Sequence, residues 1–560
     1  MIRRLGPGIA GAAALIAVIT IAARVTGFGK QLALARTVGT NCLSTAYFTA
    51  NTIPNLVFEV VVGGALAGMV VPVLAGAAAR STAPDGGEEA VRAREQVGLI
   101  TSALLTWVVV ILVPLAVLTA LLAGPVIGLF AGGDIDGCDT GAVTAVATRM
   151  LVVFAPQIPL YGLAVVLYGV LQAHRRFASP ALAPLVSSLV VIVAYLAFVP
   201  LSGGHTGVSG LPAPAELALS LGTTLGVVAL VVTVLGPAGR LGLRLRPAFR
   251  FPDGVAGQVR RLAAAGLAAL LAQQAATALV VVLANHRVGG GALAAYNFAW
   301  AIYQVPYAVL AVPIATSVFP VLSARAEDGD TAAFANASAR TSRAVVLVSG
   351  LAAGLLAATA PPVAAVFIEG TASSIDPATL ARAIALFAPG LVGYGLVAHL
   401  SRVLYAAGRG RAAATGTVAA WGAVMAVQTV LVFTLPAGWQ IAGLALGSAA
   451  GMTVGGTMLA VSVVRARGAA ALGGIGRATA AAVLGGVAGW LAGAGAVAWL
   501  DVRGVWPNLL AAVPAAVLAL AVGGIAAALV DRPDAEAMLA RFAPGRNRRT
   551  AGRDEERIDG

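Results

Sequence analysis

Apolar runs of about twenty residues, parted by short charged or Pro/Gly-rich breaks, recur from one end of the chain to the other. About 20 mostly apolar residues are what a helix needs to cross the hydrocarbon core of a bilayer. Fourteen such runs can be counted, centred near residues 20, 60, 108, 158, 190, 226, 270, 308, 352, 392, 423, 452, 488 and 518. The pattern predicts an all-α polytopic membrane protein with 14 transmembrane helices. No polar stretch is long enough to form a soluble domain.

The charges between the runs test that count. With the amino terminus inside, the cytoplasmic loops contain Arg80, Arg92 and Arg94; Arg175 and Arg176; Arg240, Arg244, Arg246, Arg250, Arg260 and Arg261. Further along come Arg325, Arg340 and Arg343; Arg409 and Arg411; and Arg465, Arg467 and Arg477, before an arginine-rich tail. The opposite loops hold Asp134, Asp136 and Asp139, or single arginines such as Arg287 and Arg503. This alternation follows the positive-inside rule, and a wrong count would scramble it. Both termini are therefore expected in the cytoplasm. Arg3 and Arg4 before an apolar run resemble a signal peptide, but no small-x-small cleavage site ends the run, so a retained first helix is expected.

An internal repeat organises the runs. Arg149, Phe154-Ala155-Pro156 and Tyr161-Gly162-Leu163 recur as Arg382, Phe387-Ala388-Pro389 and Tyr394-Gly395-Leu396, each shifted by 233 residues. A looser echo pairs Val38-Gly39, Ala46-Tyr47 and Pro72-Val73-Leu74 with Val288-Gly289, Ala295-Tyr296 and Pro320-Val321-Leu322. Six helices per copy is an even number, so the copies share one orientation and are expected to be related by an axis along the membrane normal. The expected lobes are residues 1–237 and 238–465, followed by two further helices in 466–531 and a polar cytoplasmic tail in 532–560. Prolines inside spans, among them Pro54, Pro156, Pro306 and Pro389, read either as packed bends or as hinges.

Composition removes alternatives. Only 11% of residues are charged, against about 25% in soluble domains, too few to cover a water-exposed surface. The net charge of +13 would suggest nucleic acid in a soluble chain, but here loop arginines account for it and no nucleic-acid partner is expected. Lys30 is the only lysine. No metal cluster, nucleotide-binding glycine loop or nucleophile triad appears, so neither a cofactor nor an enzymatic activity is expected.

Several blocks resemble a known family. Ala23-Arg24-Val25-Thr26-Gly27-Phe28, Leu34-Ala35-Arg36-Thr37-Val38-Gly39, Ala46-Tyr47-Phe48, Ile53-Pro54-Asn55-Leu56, Gly63-Gly64-Ala65-Leu66 and Val71-Pro72-Val73-Leu74 resemble the opening of the MurJ (MviN) family. Ile302-Tyr303-Gln304-Val305-Pro306-Tyr307 and Phe319-Pro320-Val321-Leu322 extend the likeness. The resemblance implies a lipid II flippase of the multidrug/oligosaccharidyl-lipid/polysaccharide exporter superfamily, working by alternating access in the cytoplasmic membrane. It implies a cationic cavity for the pyrophosphate-sugar head and a groove at the last two helices for the polyprenyl tail. Membrane lipids and cell-wall synthesis proteins are the further partners it suggests. Arg24 matches the family's arginine in the first helix, and Lys30 a second basic position. The chain departs where the family carries an arginine pair, here Phe58 and Glu59, and where it carries Asp-Arg, here Trp300 and Ala301. Gly63 replaces a family acid, so part of the anion site is missing or rebuilt.

Ionisable groups inside spans are candidates by default, because burying them in a bilayer is costly. The candidate substrate-binding residues are Arg24, Lys30, Asn55, Glu59, Gln304 and His399. Arg24 and Lys30 suit a pyrophosphate or snorkel to an interface. Glu59 reads as a structural partner of Arg24 or Lys30, or as an ion site. His399 reads as a core histidine or a transport residue, and Arg402 beside it as a snorkelling cation. Gln273, Gln274, Asn297 and Gln304 read as lining a cavity or tying helices together. Arg36, Arg149 and Arg382 are expected near the outer surface. Cys42 and Cys138, the only cysteines, fall in outer loops where oxidation is permitted, so a disulfide or two free thiols are open. The alternatives to lipid II transport are flipping of another polyprenyl-linked glycan, cation-coupled antiport of a small molecule, or a non-transporting scaffold.

Overall fold

The computed structural model describes residues 7–60, 67–81, 87–251, 257 and 267–533, with the backbone alone at 7–17 and 67–69. Gly63 and its neighbours, Arg3, Arg4, Arg260, Arg261 and the tail from residue 534 lie outside the described residues. The described residues form helices and connections, with no β-strand. The first half comprises α1 (Pro7–Thr37), α2 (Cys42–Val57), α3 (Ala67–Ser81), α4 (Gly87–Leu121), α5 (Ala123–Ala131), α6 (Thr140–Phe154), α7 (Gln157–Ala173), α8 (Ala178–Ser202) and α9 (Ala213–Gly239). The second comprises α10 (Leu267–Leu283), α11 (Ala292–Pro306), α12 (Val312–Glu327), α13 (Thr331–Ile368), α14 (Pro377–Phe387), α15 (Gly390–Ala406), α16 (Gly410–Thr434) and α17 (Gln440–Arg467). Two more, α18 (Ile475–Leu500) and α19 (Val505–Val530), complete the chain.

Among the described residues, eleven helical stretches are long and apolar enough to cross a membrane, or twelve when the bent pair α14–α15 counts as one. Twelve of the fourteen expected centres fall on these stretches. The runs near residues 20 and 60 are not among them; α2 and α3, which flank residue 60, are only 16 and 15 residues long.

The helix breaks repeat as the sequence does. Phe154 ends α6 and Gln157 begins α7, while Phe387 ends α14 and Gly390 begins α15, the latter pair bent by 40°. Pro156 and Pro389 lack the N–H that would continue the ladder, so the chain breaks at matching places. A second matched break follows α2, where the backbone takes π-type hydrogen bonds at 58–60. Its counterpart is the π turn Tyr307–Ala311 behind Pro306. Such turns bend a helix without ending it.

The chain divides into two compact units. The first is Met1–Val305 with Ala364–Ala383 and Trp421–Ser448; the second is Pro306–Val363 with Ile384–Ala420 and Ala449–Gly560. In the first, buried Val70, Leu74, Val97, Ile100, Leu104, Val166 and Leu171 bind α3, α4 and α7 into one apolar core. Tyr47, buried in the same unit, has its hydroxyl paired, as desolvation demands. The Tyr47 hydroxyl lies 2.6 Å from Tyr195 Oη and 2.9 Å from Thr223 Oγ1, joining α2, α8 and α9. The second copy repeats this network on its own helices, with Tyr296 Oη 3.2 Å from Ser448 Oγ and Gln428 Nε2 3.4 Å from Tyr296 Oη. Gln428 stands where Tyr195 stands in the first copy, since 195 + 233 = 428.

In the second unit, small residues let backbones touch. A Cβ on Gly485, Gly489 or Gly493 of α18 would come 2.7, 2.5 or 2.8 Å from the carbonyl oxygens of Gly523, Ala519 and Ala515 on α19. On another side of α18, Gly350 and Gly354 of α13 pack as closely on Ala482 and Gly486. Lipid tails are as apolar as leucine side chains, so association in a bilayer depends on such close packing. Trp499 and Trp506, at the α18–α19 turn, are 85% and 74% exposed, as suits indoles in an interfacial belt.

Candidate functional site

Two cations of α1 stand without partners among the described residues. Arg24 is exposed and Lys30 half-buried, and neither makes a hydrogen bond or ion pair among the described residues. Glu59 is likewise unpaired among the described residues, so the expected pairing of Glu59 with Arg24 or Lys30 does not form. Charge on α1 is thus left uncompensated by this acid. Arg36, in contrast, donates to the Glu369 carbonyl.

Thr52, Asn55 and Glu59 follow one another at helical spacing along α2 and its π turn. Asn55 is oriented by its own helix: Nδ2 donates to the Asn51 carbonyl at 2.9 Å, and Oδ1 lies 3.5 Å from Tyr161 Oη. Phe58 packs on the Tyr161 ring, with centroids 4.4 Å apart. An aromatic contact therefore occupies one of the positions where the sequence lacks the family's arginine.

A cavity of about 110 Å³ opens between α2, α10, α11 and α16, lined by Thr52, Gln273, Thr277, Asn297, Trp300, Trp421 and Gln428 among others. Of the amides expected to line a cavity or to tie helices, Gln273 and Asn297 are on its wall. Gln274 is buried away from it, and Gln304 sits one turn past Trp300 on α11. Thr52, Thr277, Trp421 and Gln428 were not singled out by sequence reasoning. The signal existed, as Gln273 and Thr277 are polar at i and i+4 in an apolar run.

In the second unit, His399 is fully buried and its Nε2 lies 3.1 Å from Thr341 Oγ1. Arg402 donates to the Ala398 carbonyl of its own helix at 2.7 Å. Tyr307, in the π turn, stacks on Tyr394 with ring centroids 4.0 Å apart.

The connections at one end of the first unit are fastened tightly. Cys42 and Cys138 form a disulfide, their Cα atoms 5.7 Å apart. Gly290 donates to the Asp136 carbonyl at 2.9 Å, and Gly291 to Thr45 Oγ1 at 2.8 Å. Ser374 donates through both N–H and Oγ to the Thr40 carbonyl, each at 2.8 Å, while Thr40 and Ser373 share a hydroxyl pair. Asn285 Nδ2 reaches Thr49 Oγ1 and the Phe130 carbonyl, each at 3.0 Å. Gly39, at φ +85°, approaches Ala372 so closely that no side chain fits. The turns after α1, before α11 and before α14 thus form one hydrogen-bonded cap. Arg149 and Arg382, the matched pair, each tie their helix to a neighbouring segment. Arg149 forks onto Glu216 at 2.9 and 2.6 Å, and Arg382 donates to Thr379 Oγ1 and the Gly438 carbonyl while lying over Trp439.

This architecture is that of an all-helical, multi-pass membrane protein. A solved inward-facing multidrug resistance MATE family transporter of the MOP superfamily aligns with a TM-score of 0.58 at 14% identity, over 79% of this chain and 98% of that one. A structure of the lipid II flippase MurJ in an inward closed conformation aligns at 0.69 and 16% identity, over 93% and 99%. Sequence narrows the class further. The lipid II flippase MurJ of Burkholderia cenocepacia is 25% identical over 398 residues, 69% of this chain and 71% of that protein. A probable lipid II flippase MurJ of Rhizobium tropici is 26% identical over 389 residues, 69% of each. The lipid II flippase MurJ family matches residues 34–507, and the chain belongs to that family.

Proposed function

We propose that this protein carries lipid II, the polyprenyl-linked peptidoglycan precursor, from the inner to the outer face of the cytoplasmic membrane, moving the lipid without transforming it. The observation that carries the reading is the family match, which runs through both copies of the repeat. Arg24 and Lys30 take the pyrophosphate, Arg24 through two parallel N–H donors. Asn55, Glu59 and Gln304 line the path of the head group. His399, enclosed and hydrogen-bonded to Thr341, serves packing. The two lobes, 1–237 and 238–465, alternate around the site, and the helices in 466–531 carry the groove for the tail. An anionic head moving outward gains about 2.3 kcal/mol per charge per 100 mV of inside-negative potential.

The disulfide supports the orientation. Such bonds persist on the oxidising side of a membrane, which supports a reading with Cys42 and Cys138 outside and both termini in the cytoplasm. The test is reconstitution: vesicles holding the purified protein should move lipid II to the opposite leaflet, faster with an imposed potential. Depletion in cells should stop peptidoglycan synthesis. Failure of both would end the proposal, and transport of a different polyprenyl-linked glycan alone would replace the cargo.

A further inference from the structure

The cavity between α2, α10, α11 and α16 has a chemistry of its own. Among the described residues, no Asp, Glu, Lys, Arg or His lines it. A pyrophosphate or carboxylate there would find no cation, and a cation no carboxylate. An apolar group would leave the Gln273 amide, Asn297 Oδ1 and Gln428 Oε1, which make no hydrogen bond among the described residues, still unpaired. The walls therefore suit a neutral group carrying both donors and acceptors.

Gln428 sharpens this. It is fully buried, and its Nε2 donates to the Leu444 carbonyl and Ser448 Oγ, each at 2.9 Å. Exchanging nitrogen and oxygen would set two carbonyl oxygens against each other, so the amide is held in this sense. Its Oε1 is then buried with no donor among the described residues. A buried acceptor left unpaired is unfavourable. In the first copy of the repeat the same place is filled by Tyr195, whose hydroxyl is fully engaged with Tyr47. At this place, among the described residues, only the second copy presents a buried acceptor without a donor. Beside it, Asn297 commits Nδ2 to the Leu293 carbonyl at 2.8 Å, while its Oδ1 makes no hydrogen bond among the described residues. Trp300 and Trp421 supply flat apolar surfaces with an N–H at the edge.

We infer that this cavity is a sugar subsite, which takes one neutral pyranose of the lipid-linked head group. Gln428 Oε1 and Asn297 Oδ1 accept from its hydroxyl or acetamido N–H groups, and the indoles face its C–H surface. The size agrees with one ring. At about 110 Å³ the cavity is several times what a water requires, about 10–15 Å³. It is well below the roughly 300 Å³ or more of a site for a whole drug-sized ligand. The inference rests on the flippase reading for its cargo and adds that glycan, not charge, is what Trp300 reads where the family carries Asp-Arg.

The experiment compares three lipids on the purified full-length protein by native mass spectrometry. They are polyprenyl pyrophosphate without sugar, the same lipid bearing one N-acetylhexosamine, and lipid II. Wild type should bind a glycan-bearing lipid more tightly than the bare pyrophosphate. Gln428→Leu and Asn297→Leu should each lose about tenfold for the glycan-bearing lipid, and less than about twofold for the bare one. Asn297→Leu carries the test if Gln428→Leu fails to fold. Equal losses on both lipids would make these residues structural, and no loss, or no wild-type preference for any glycan, would overturn the subsite. Preference for the single-sugar lipid without preference for lipid II would keep the subsite and remove lipid II as the cargo.

Discussion

Gly290 lies so close to Cys138 that a Cβ on the glycine would come within 2.4 Å of the sulfur, and within 3.3 Å of Cys42 Sγ. The disulfide thus serves as a floor on which the Gly289–Gly291 turn is seated. Neighbouring contacts hold the turn there through Asp136, Thr45 and Ser374. Gly290→Val should lift the turn off its seat and loosen the cap. An Asn297→Cys reporter in the cavity wall, treated with a membrane-impermeant thiol reagent from outside, should then label at least about tenfold faster, if opening the cap shifts its balance by about 1.4 kcal/mol. Unchanged labelling would show that the seat does not control access.

The disulfide itself closes a long stretch of chain, with its cysteines 96 residues apart. Cross-links of that span stabilise by restricting the unfolded chain. Cys42→Ser should therefore lower stability by about 2–4 kcal/mol. Thermal unfolding in detergent should show the loss, and adding reductant should bring wild type down to the variant. If reductant moves both proteins equally, the effect lies elsewhere.

For the cations of α1, Arg24→Ala should cut lipid II transport in vesicles by at least about tenfold, the value of one lost charge-assisted contact. Arg24→Lys keeps the charge but not the fork and should fall between the two. Thermal unfolding should be unchanged, as Arg24 touches no partner among the described residues. Wild-type transport by Arg24→Ala would remove this residue from the site.

The α18–α19 seam gives a test with an internal control. A side chain at Gly489 meets the Ala519 carbonyl oxygen, whereas one at Gly495 on the same helix meets nothing within 4 Å. Gly489→Val should destabilise by about 1–3 kcal/mol or separate the pair. Gly495→Ala should be neutral or stabilise by up to about 1 kcal/mol. Equal melting of the two variants would contradict the close approach.

Much of this was legible in the chain before any coordinates. The Phe-Ala-Pro triplets at 154 and 387 announced two helix breaks at one shift, and both breaks are present, because a missing N–H acts locally. Spans such as α8 and α19 were readable because apolarity over more than twenty residues needs no tertiary context. The run near residue 60 was not, since its apolar stretch concealed a π turn and two short helices. Cys42 and Cys138 could be placed in outer loops, but their distance depends on how hairpins pack. Gln428 was invisible for a related reason. Its meaning lies in which of its two amide atoms is already used, and this is decided by Leu444 and Ser448 on the next helix.

The bond from Cys42 to Cys138 also ties synthesis to topology. It can close only after residue 138 has reached the side where residue 42 already waits, so the chain between them, α4 included, must first be in place. Its appearance in a pulse-chase on non-reducing gels is therefore a clock for insertion of the first hairpins. Once closed, it makes that part of the chain a ring: a single protease cut anywhere between the cysteines leaves the polypeptide in one piece until it is reduced.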